Sequence, residues 1–381
     1  MNEMQIAKEY LKRLVASSIN GAELPALPEN INVNILYNLA MRNRVSVMLY
    51  LAFQGKKNDL PKEVFLSLEK SYSASMMREI SQEEELKFIR KTFTENKIDF
   101  LLLKGSHLKK LYPSPAMRFM VDMDILVKKS DVARGKEIIL SRGFSQEMNN
   151  GKDIVLIKKP FLTIELHNTL FVEEDSMHPY FLGVWDRAKC LENSEFAMTD
   201  NDLYVYVMAH LAEHYKDAGS CFRPMMDIYL LIKKCSDNLD FDYINAEFQK
   251  IGLLSFAEKI KTLAFSMFEG NEKDEVLDMM ENYIVFGPPI KNANIASKNA
   301  INKQSKLKRI FSYAFPNFKH MSLVFPILTK CPYLLPIFYV VRAFNFLFKD
   351  KDFAKKRLAS TVESNDKDTK IMEDIFKKSG L

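Results

Sequence analysis

The sequence predicts an α+β fold in which a small mixed sheet lies between large N-terminal and C-terminal helical regions. Apolar residues recur at helical spacing before about residue 97 and after about residue 200, whereas short strand-like runs fall between them. A chain of 381 residues is long enough for about two to three domains. We divide it into a helical region (1–96), a sheet-containing core (97–195), a helical lobe (196–300) and a basic, apolar-rich helical region (301–381).

The N-terminal region is predicted to be helical. Charged residues interrupt the apolar ones from Met1 to Ser18, a pattern typical of an amphipathic helix and different from a signal peptide. Further on, apolar residues from Leu36 to Leu49 have helical spacing, and the charged stretch from Pro61 to Asn96 contains few helix breakers. The four cysteines form no C-x-x-C pair, which favours a reducing compartment. We therefore expect a cytoplasmic protein.

The core begins with a buried strand from Asp99 to Lys104, followed by a short helix from Ser106 to Leu111. Residues Val121–Val127 alternate between apolar and acidic, which predicts a strand with one polar face. Ser130 is the expected N-cap of a helix that runs to about Arg142, with Gly143 at its C-terminal end.

A β-hairpin follows, with strands from Asp153 to Ile157 and from Phe161 to His167. The helical period then returns, most clearly in Leu203–Tyr215 and Pro224–Lys234.

The C-terminal region combines positive charge with apolar segments. From residue 301 it carries 16 basic and 7 acidic side chains, a net charge of +9, whereas the first 300 residues carry −4. Met321–Phe348 is strongly apolar, but its longest uncharged stretch has 11 residues and a membrane-spanning helix needs about 20. The segment predicts a buried or interfacial helical hairpin, and the flanking lysines allow peripheral membrane contact.

Glycine spacing excludes several nucleotide-binding motifs. Only 12 residues are glycine, and no two lie closer than eight positions apart. G-x-G-x-x-G, Walker A and G-x-S-x-G motifs all need closer pairs, so none can exist here. Any phosphate site must use a single glycine, for which Gly105 is the candidate because it follows a strand and opens a helix.

Acidic residues give the sharpest chemical signal. Asp122 and Asp124 are two positions apart in the predicted strand, so both point to the same face. Two such carboxylates repel each other unless a cation lies between them, and their oxygens suit Mg²⁺ or Mn²⁺. Glu165 and His167, on a later strand, could join them. The alternative is an exposed acidic face without a metal.

These motifs resemble the nucleotidyltransferase superfamily of the polymerase-β type. The stretch LLLKGSHLKKLYPSPAMRFMVDMDILVKKSDV, followed by GF and IELH, is more specifically similar to a family of uncharacterised bacterial nucleotidyltransferases. The resemblance is clearest over residues 97–170. It extends weakly to the Ala40–Val45 segment and to four later residues: His210, His214, Arg223 and Asp227. The 16-residue gap from Ser106 to Asp122 is longer than usual for the superfamily, which predicts an enlarged loop.

The resemblance implies metal-dependent transfer of a nucleotidyl group from an NTP to a hydroxyl of a small molecule, sugar or peptide. Asp122 and Asp124 would hold the nucleotide-associated Mg²⁺, and Glu165 would complete a second metal site. The nucleotide would be bound by four residues: Lys104, Gly105, Ser106 and Arg118. Candidate cleft residues are His107, His167, His210, His214, Arg223 and Asp227. Nucleic acid is not expected as a partner.

Two other functions stay open. His210, Glu213 and His214 match H-x-x-E-H, in which two histidines on one helix face could bind Zn²⁺ in a peptidase. The same histidines could instead face the nucleotide cleft, pack against Asp227 or be ordinary structural residues. The other function is a catalytically silent nucleotide-binding scaffold, because a protein can keep its fold after losing its activity.

Overall fold

The structure is a computed structural model that describes residues 2–217, 221–290, 293–302, 315–316, 318–348 and 366–381. It divides into two compact units. The larger contains the described residues up to Tyr215, those from 221 to Gly287, and Ser379–Leu381. The smaller contains residues 216–217 and the described residues from Pro288 to Lys378.

Helices of the larger unit precede and follow a sheet. Four helices, α1 to α4, come before it: Glu3–Asn20, Val33–Arg42, Ser46–Phe53 and Lys62–Glu95. Four short helices, α5 to α8, lie among the strands: Gly105–Leu108, Val132–Ser141, His178–Phe181 and Val184–Arg187. Five helices, α9 to α13, follow: Asp200–Lys216, Phe222–Cys235, Phe241–Lys250, Leu254–Glu269 and Glu275–Phe286.

The sheet has seven strands, β1 to β7: Phe100–Leu102, Met123–Val127, Ser145–Asn149, Asp153–Lys158, Leu162–His167, Lys189–Glu192 and Glu195–Ala197. Their order is β3-β4-β5-β2-β1-β7-β6. The β2–β5 and β1–β7 pairs are parallel and the others antiparallel. This mixed sheet between helical regions confirms the α+β prediction.

One face of the sheet packs against α4 and α6. Phe93 and Leu86 of α4 and Ile139 of α6 join alternate strand residues in a single apolar cluster. The cluster includes Ile125 of β2 and Ile164 of β5, both fully buried. Because successive strand residues point to opposite faces, their neighbours Asp124 and Glu165 point away from this core.

Two local predictions need correction. The second strand begins at Met123 and not at Val121, and all five of its residues are buried. Its alternation reflects a central strand with an apolar core on one side and a buried polar site on the other. The helix after it begins at Val132 behind a 3₁₀ turn, so Ser130 is not its N-cap.

Three strands were not predicted. β3 and β6 are edge strands whose side chains are all exposed, and β7 has only three residues. Edge strands with polar side chains carry no apolar alternation, so their pairing is set by neighbouring strands. The sheet therefore extends beyond residue 170 to Ala197.

In the smaller unit the described helices are Ala293–Asn302, Phe318–Val324, Leu335–Phe348 and, up to Lys378, Asp366–Ser379. The hairpin was predicted to be buried or interfacial, and of these alternatives full burial does not hold. Ile337, Val340, Val341 and Phe344 have exposed side chains at helical i, i+3, i+4 and i+7 spacing, and we call them the exposed apolar face. Among the described residues, no helix combines the length and hydropathy needed to cross a membrane.

Candidate functional site

Four ionisable side chains share the face of the sheet that turns away from the main core. In the parallel β2–β5 ladder Asp124 lies opposite Glu165, and His167 follows two positions along β5. In the antiparallel β4–β5 ladder Asp153 lies opposite His167. Directly opposed residues in a ladder, and residues two apart on a strand, point to the same face. Strand register alone therefore brings Asp124, Glu165, His167 and Asp153 together.

Three of these side chains form a compact group, which we call the carboxylate cluster: Asp124, Glu165 and His167. One ligand atom from each lies within 4.8 Å of the others. His167 Nε2 lies 3.1 Å from Asp124 Oδ1 and 3.5 Å from Glu165 Oε2. Asp124 and His167 are buried, whereas the Glu165 side chain retains 30% of its exposure. The cluster is thus open at Glu165.

Asp122 lies just outside this cluster. It precedes β2 by one residue and is partly exposed, so strand geometry does not fix its side chain as it fixes that of Asp124. Its charge nevertheless contributes to raising the pKa of Glu165, after burial and the charge of Asp124. Asp122 is therefore close enough to act on the cluster electrostatically.

Lys104 supplies the neighbouring positive charge from a strained turn. It connects β1 to α5 with a φ of +23°, which is unusual for a residue with a side chain. Its Nζ lies 3.4 Å from Asp124 Oδ2 and 2.7 Å from His210 Nε2 on α9. Strained backbone conformations persist where the surrounding contacts hold them, and they often mark functional sites.

The two carboxylates of the cluster titrate in opposite directions. Burial tends to raise the pKa of Asp124, but the Lys104 charge and the His167 hydrogen bond hold it well below its usual range. Burial and the negative charges of Asp124 and Asp122 raise the pKa of Glu165 to about 7. Asp124 is therefore ionised throughout the physiological range, while Glu165 is poised to gain or lose a proton.

His210 is a neutral hydrogen-bond acceptor at this site. Burial, followed by the positive charge of Lys104, keeps the pKa of His210 well below its usual value. Because an ammonium group can only donate, His210 Nε2 accepts from Lys104, and its proton resides on Nδ1, 3.5 Å from Glu213 Oε2. His214 Nε2 lies 2.9 Å from the same His210 nitrogen.

The cluster fits a divalent cation. Two carboxylates and one imidazole converge at the cluster. Among the described residues, Lys104 is the only lysine or arginine that forms an ion pair with Asp124. His167 Nδ1 is buried without a hydrogen-bond partner and lies 3.8 Å from Asp153 Oδ2, too far for a hydrogen bond. A histidine that ligates through Nε2 commonly directs its other nitrogen towards a carboxylate, as His167 does here.

A family model described as "Uncharacterised nucleotidyltransferase" matches residues 29–269. The chain belongs to this nucleotidyltransferase family. The matched span contains the whole sheet and every predicted site residue, which confirms the resemblance. Neither the curated proteins nor the solved structures gave a significant match.

In this nucleotidyltransferase the Gly105–Ser106 turn is tightly packed. A Cβ at Gly105 would collide with Met120 Sδ and come within 3.1 Å of Arg118 Nη1. The Ser106 N–H already donates to the Leu103 carbonyl oxygen at 3.3 Å. Helix α5 has only four residues and therefore a weak dipole. Close packing explains why residue 105 is glycine, and phosphate binding by this turn stays a prediction.

Arg118 is held in a buried ion pair. Its Nε and Nη2 donate to the two carboxylate oxygens of Asp227 at 2.7 and 2.8 Å, and Tyr112 donates to Asp227 Oδ1 at 2.8 Å. The structure therefore favours a structural role for Arg118 over the predicted phosphate contact. Asp227 is satisfied by these partners, so of the predicted alternatives for His210, facing the cleft fits the structure and packing against Asp227 does not.

The structure gives different environments to His107 and to the pair His210 and His214. His107 Nε2 is buried without a hydrogen-bond partner, and burial followed by the charge of Lys110 lowers the pKa of His107. For the zinc peptidase alternative, His210 and His214 hydrogen-bond to each other and Lys104 donates to the first of them. Within the described part of the chain they form no metal-binding group, so the geometry does not support that alternative.

Sequence reasoning did not assign three residues of the candidate site. Asp153 faces His167 through the β4–β5 ladder. Lys152 Nζ lies 3.6 Å from Glu213 on α9. Tyr206, also on α9, is buried, and burial followed by the charge of Asp124 raises its pKa. Only the strand register and the placement of α9 bring them to the site, although the hairpin prediction could have indicated Asp153.

Proposed function

We propose that the chain transfers a nucleotidyl group from an NTP to a hydroxyl of a small molecule, sugar or peptide. One observation carries this proposal: the β2–β5 register sets Asp124 opposite Glu165, with His167 beside them and Lys104 at 3.4 Å, inside the span of a nucleotidyltransferase family. The acceptor oxygen would form a bond to the α-phosphorus as the bond to the β-phosphate oxygen breaks. Pyrophosphate would leave.

Each protein group has a defined task in that reaction. Asp124, with Glu165 and His167, would hold a divalent cation, which when bound neutralises phosphate charge and orients the reacting oxygens. Glu165, the partly exposed carboxylate of the cluster, could accept the proton of the acceptor hydroxyl. Lys104 can turn from Asp124 towards the phosphates, since it is a flexible donor held by one carboxylate and one imidazole.

The ligand set bears on the choice of metal. Carboxylate oxygens suit Mg²⁺ and Mn²⁺ alike, whereas an imidazole nitrogen is a better ligand for Mn²⁺ than for Mg²⁺. Since His167 Nε2 points at both carboxylates of the cluster, we expect Mn²⁺ to bind more tightly than Mg²⁺.

The test combines metal binding, nucleotide binding and turnover. Calorimetry with Mn²⁺ or Mg²⁺, and then with each of the four NTPs, should show binding by the unaltered chain and none by Asp124→Asn. Asp237→Asn, at an exposed carboxylate, is the matched control and should bind normally. Equal metal and NTP binding by Asp124→Asn would overturn the proposal. NTP binding without pyrophosphate release, across a panel of hydroxyl acceptors, would instead favour a silent nucleotide-binding module.

We also propose that the C-terminal region contacts an anionic membrane surface. The exposed apolar face could enter the interface, and the net charge of +9 from residue 301 onward would be attracted to anionic lipids. Co-sedimentation with phosphatidylserine vesicles should fall in a Val340→Ser/Phe344→Ser variant. Undiminished binding by that variant, or none by the unaltered chain, would overturn this contact.

A further inference from the structure

Three arginine side chains converge on Phe119, three residues before Asp122. The guanidinium carbons of Arg44 and Arg78 lie 5.5 and 4.9 Å from the centre of the Phe119 ring. Nη1 of Arg223 donates to the Phe119 carbonyl oxygen at 3.2 Å. The arginines come from the α2–α3 turn, α4 and α10, so tertiary packing alone assembles the group. We call Arg44, Arg78 and Arg223 the arginine cluster.

The arginine cluster makes no ion pair with the residues that the structure describes. Nε of Arg78 and Nε of Arg223 are buried without a hydrogen-bond partner. Burial, followed by the positive charge of Arg44, lowers the pKa of Arg78. A buried donor without a hydrogen-bond partner destabilises the folded chain. Arg118, by contrast, is fully paired with Asp227.

Arg44 also occupies a position where glycine is usual. It follows the end of α2 with a φ of +59°, and the next N–H, that of Val45, closes the helix end on the Ala40 carbonyl oxygen. A side chain in this left-handed conformation costs about 1 kcal/mol relative to glycine. Neither backbone geometry nor an ion pair within the described part of the chain accounts for arginine here.

We propose that the arginine cluster binds a phosphate group of a ligand that also reaches the carboxylate cluster. Three guanidinium groups offer planar pairs of donors that match phosphate oxygens, and a bound phosphate would neutralise their charge. Phe119 and Asp122 are three positions apart in the sequence, so their Cα atoms lie at most about 11 Å apart. The phosphate would belong either to the NTP or to a phosphorylated acceptor. That identity rests on the proposed function, whereas the anion site itself does not.

Inorganic tripolyphosphate in EDTA tests the site without any divalent cation. Calorimetry should show binding that weakens as NaCl rises. Arg78→Gln and Arg223→Gln should each weaken binding at least about tenfold, which corresponds to the 1.4 kcal/mol expected at minimum for a charged hydrogen bond. Arg134→Gln, at an arginine of α6 with 54% exposure, is the control and should bind normally.

Arg44→Gly separates binding from folding. It removes the guanidinium but relieves the left-handed strain, so its melting temperature should equal or exceed that of the unaltered chain while tripolyphosphate binding weakens. Absence of binding by the unaltered chain, or unchanged binding by Arg44→Gly, Arg78→Gln and Arg223→Gln, would overturn the proposal.

Competition experiments with ATP identify the source of the phosphate. If ATP with Mn²⁺ displaces tripolyphosphate, the cluster holds the nucleotide phosphates. If the two bind together, it holds the phosphate of an acceptor, and either result supports an anion site. Asp124→Asn should retain tripolyphosphate binding in EDTA, and Arg78→Gln should retain Mn²⁺ binding. Failure of the unaltered chain to bind Mn²⁺ would therefore count against the proposed function and leave the arginine cluster standing.

Discussion

Replacing Glu165 by glutamine should stabilise the metal-free protein while removing its response to metal. Burial, followed by the negative charges of Asp124 and Asp122, raises the pKa of Glu165 from 4.5 to about 7. Each pKa unit corresponds to 1.36 kcal/mol, so ionising Glu165 in the folded chain costs about 3 kcal/mol at pH 8. Glutamine is nearly the same size and carries no charge, so it avoids this cost.

Solvent reduces the gain that can be measured. The Glu165 side chain is 30% exposed, and screening lowers the expected stabilisation to about 1–2 kcal/mol. For a unit of this size that is a rise in melting temperature of about 2–3 °C. The sign with pH follows from the raised pKa. The loss of folding free energy caused by ionised Glu165 has its full value above pH 7. It decreases as the pH falls and Glu165 becomes protonated in the folded chain, and it disappears below about pH 4.5.

Thermal melts in EDTA at pH 8 and pH 5 are the assay, repeated at pH 8 with Mn²⁺. Glu165→Gln should melt higher than the unaltered chain at pH 8, with most of the difference lost at pH 5, and Mn²⁺ should stabilise only the unaltered chain. Glu195→Gln is the matched control, because that carboxylate is paired with Arg90 at 3.2 Å and its loss should not stabilise. An unchanged or lower melting temperature of Glu165→Gln at pH 8 would refute the like-charge argument.

Three further predictions concern the framework around the site. Gly105→Ala should destabilise by about 1–3 kcal/mol because its Cβ collides with Met120, and adding Met120→Ala should restore part of the loss in thermal melts; full stability of the single variant would contradict this. Arg118→Lys should cost about 2 kcal/mol in urea unfolding, since an ammonium cannot make both bonds to Asp227, and an unchanged midpoint would refute it. Glu281→Gln should cost about 3 kcal/mol at pH 7, because the fully buried Glu281 carboxylate pairs with three lysines and its loss leaves them uncompensated. Although burial tends to raise the pKa of Glu281, the lysines lower it, so its stabilisation is present above pH 4.5 and lost as pH falls. The difference between variant and unaltered chain should therefore shrink in acid, and a constant difference from pH 7 to pH 3 would sink that explanation.

The central strands and the major helices follow from local patterns. β4 and β5 show as β-rich runs, and α9 and α10 as helical periods, because each buries a regular apolar stripe. The edge strands β3 and β6 lack such a stripe and form only because a neighbouring strand offers hydrogen bonds. The polar face of β2 was predicted, but its burial was not, since a sequence does not show whether a second layer covers the other face of a sheet.

The sequence by itself determined the family, the mixed α+β architecture and the acidic residues to which the proposed chemistry is assigned, because strand periodicity and the i, i+2 spacing of Asp122 with Asp124, and of Glu165 with His167, are local properties. Tertiary structure decided the rest. It paired Asp124 with Glu165 through strand register, placed Lys104 between Asp124 and His210 of α9, bound Arg118 to Asp227 and, among the described residues, left two guanidinium nitrogens of the arginine cluster without a hydrogen-bond partner. Register and packing join residues that are distant in the chain, and the charge balance of a site depends on those neighbours.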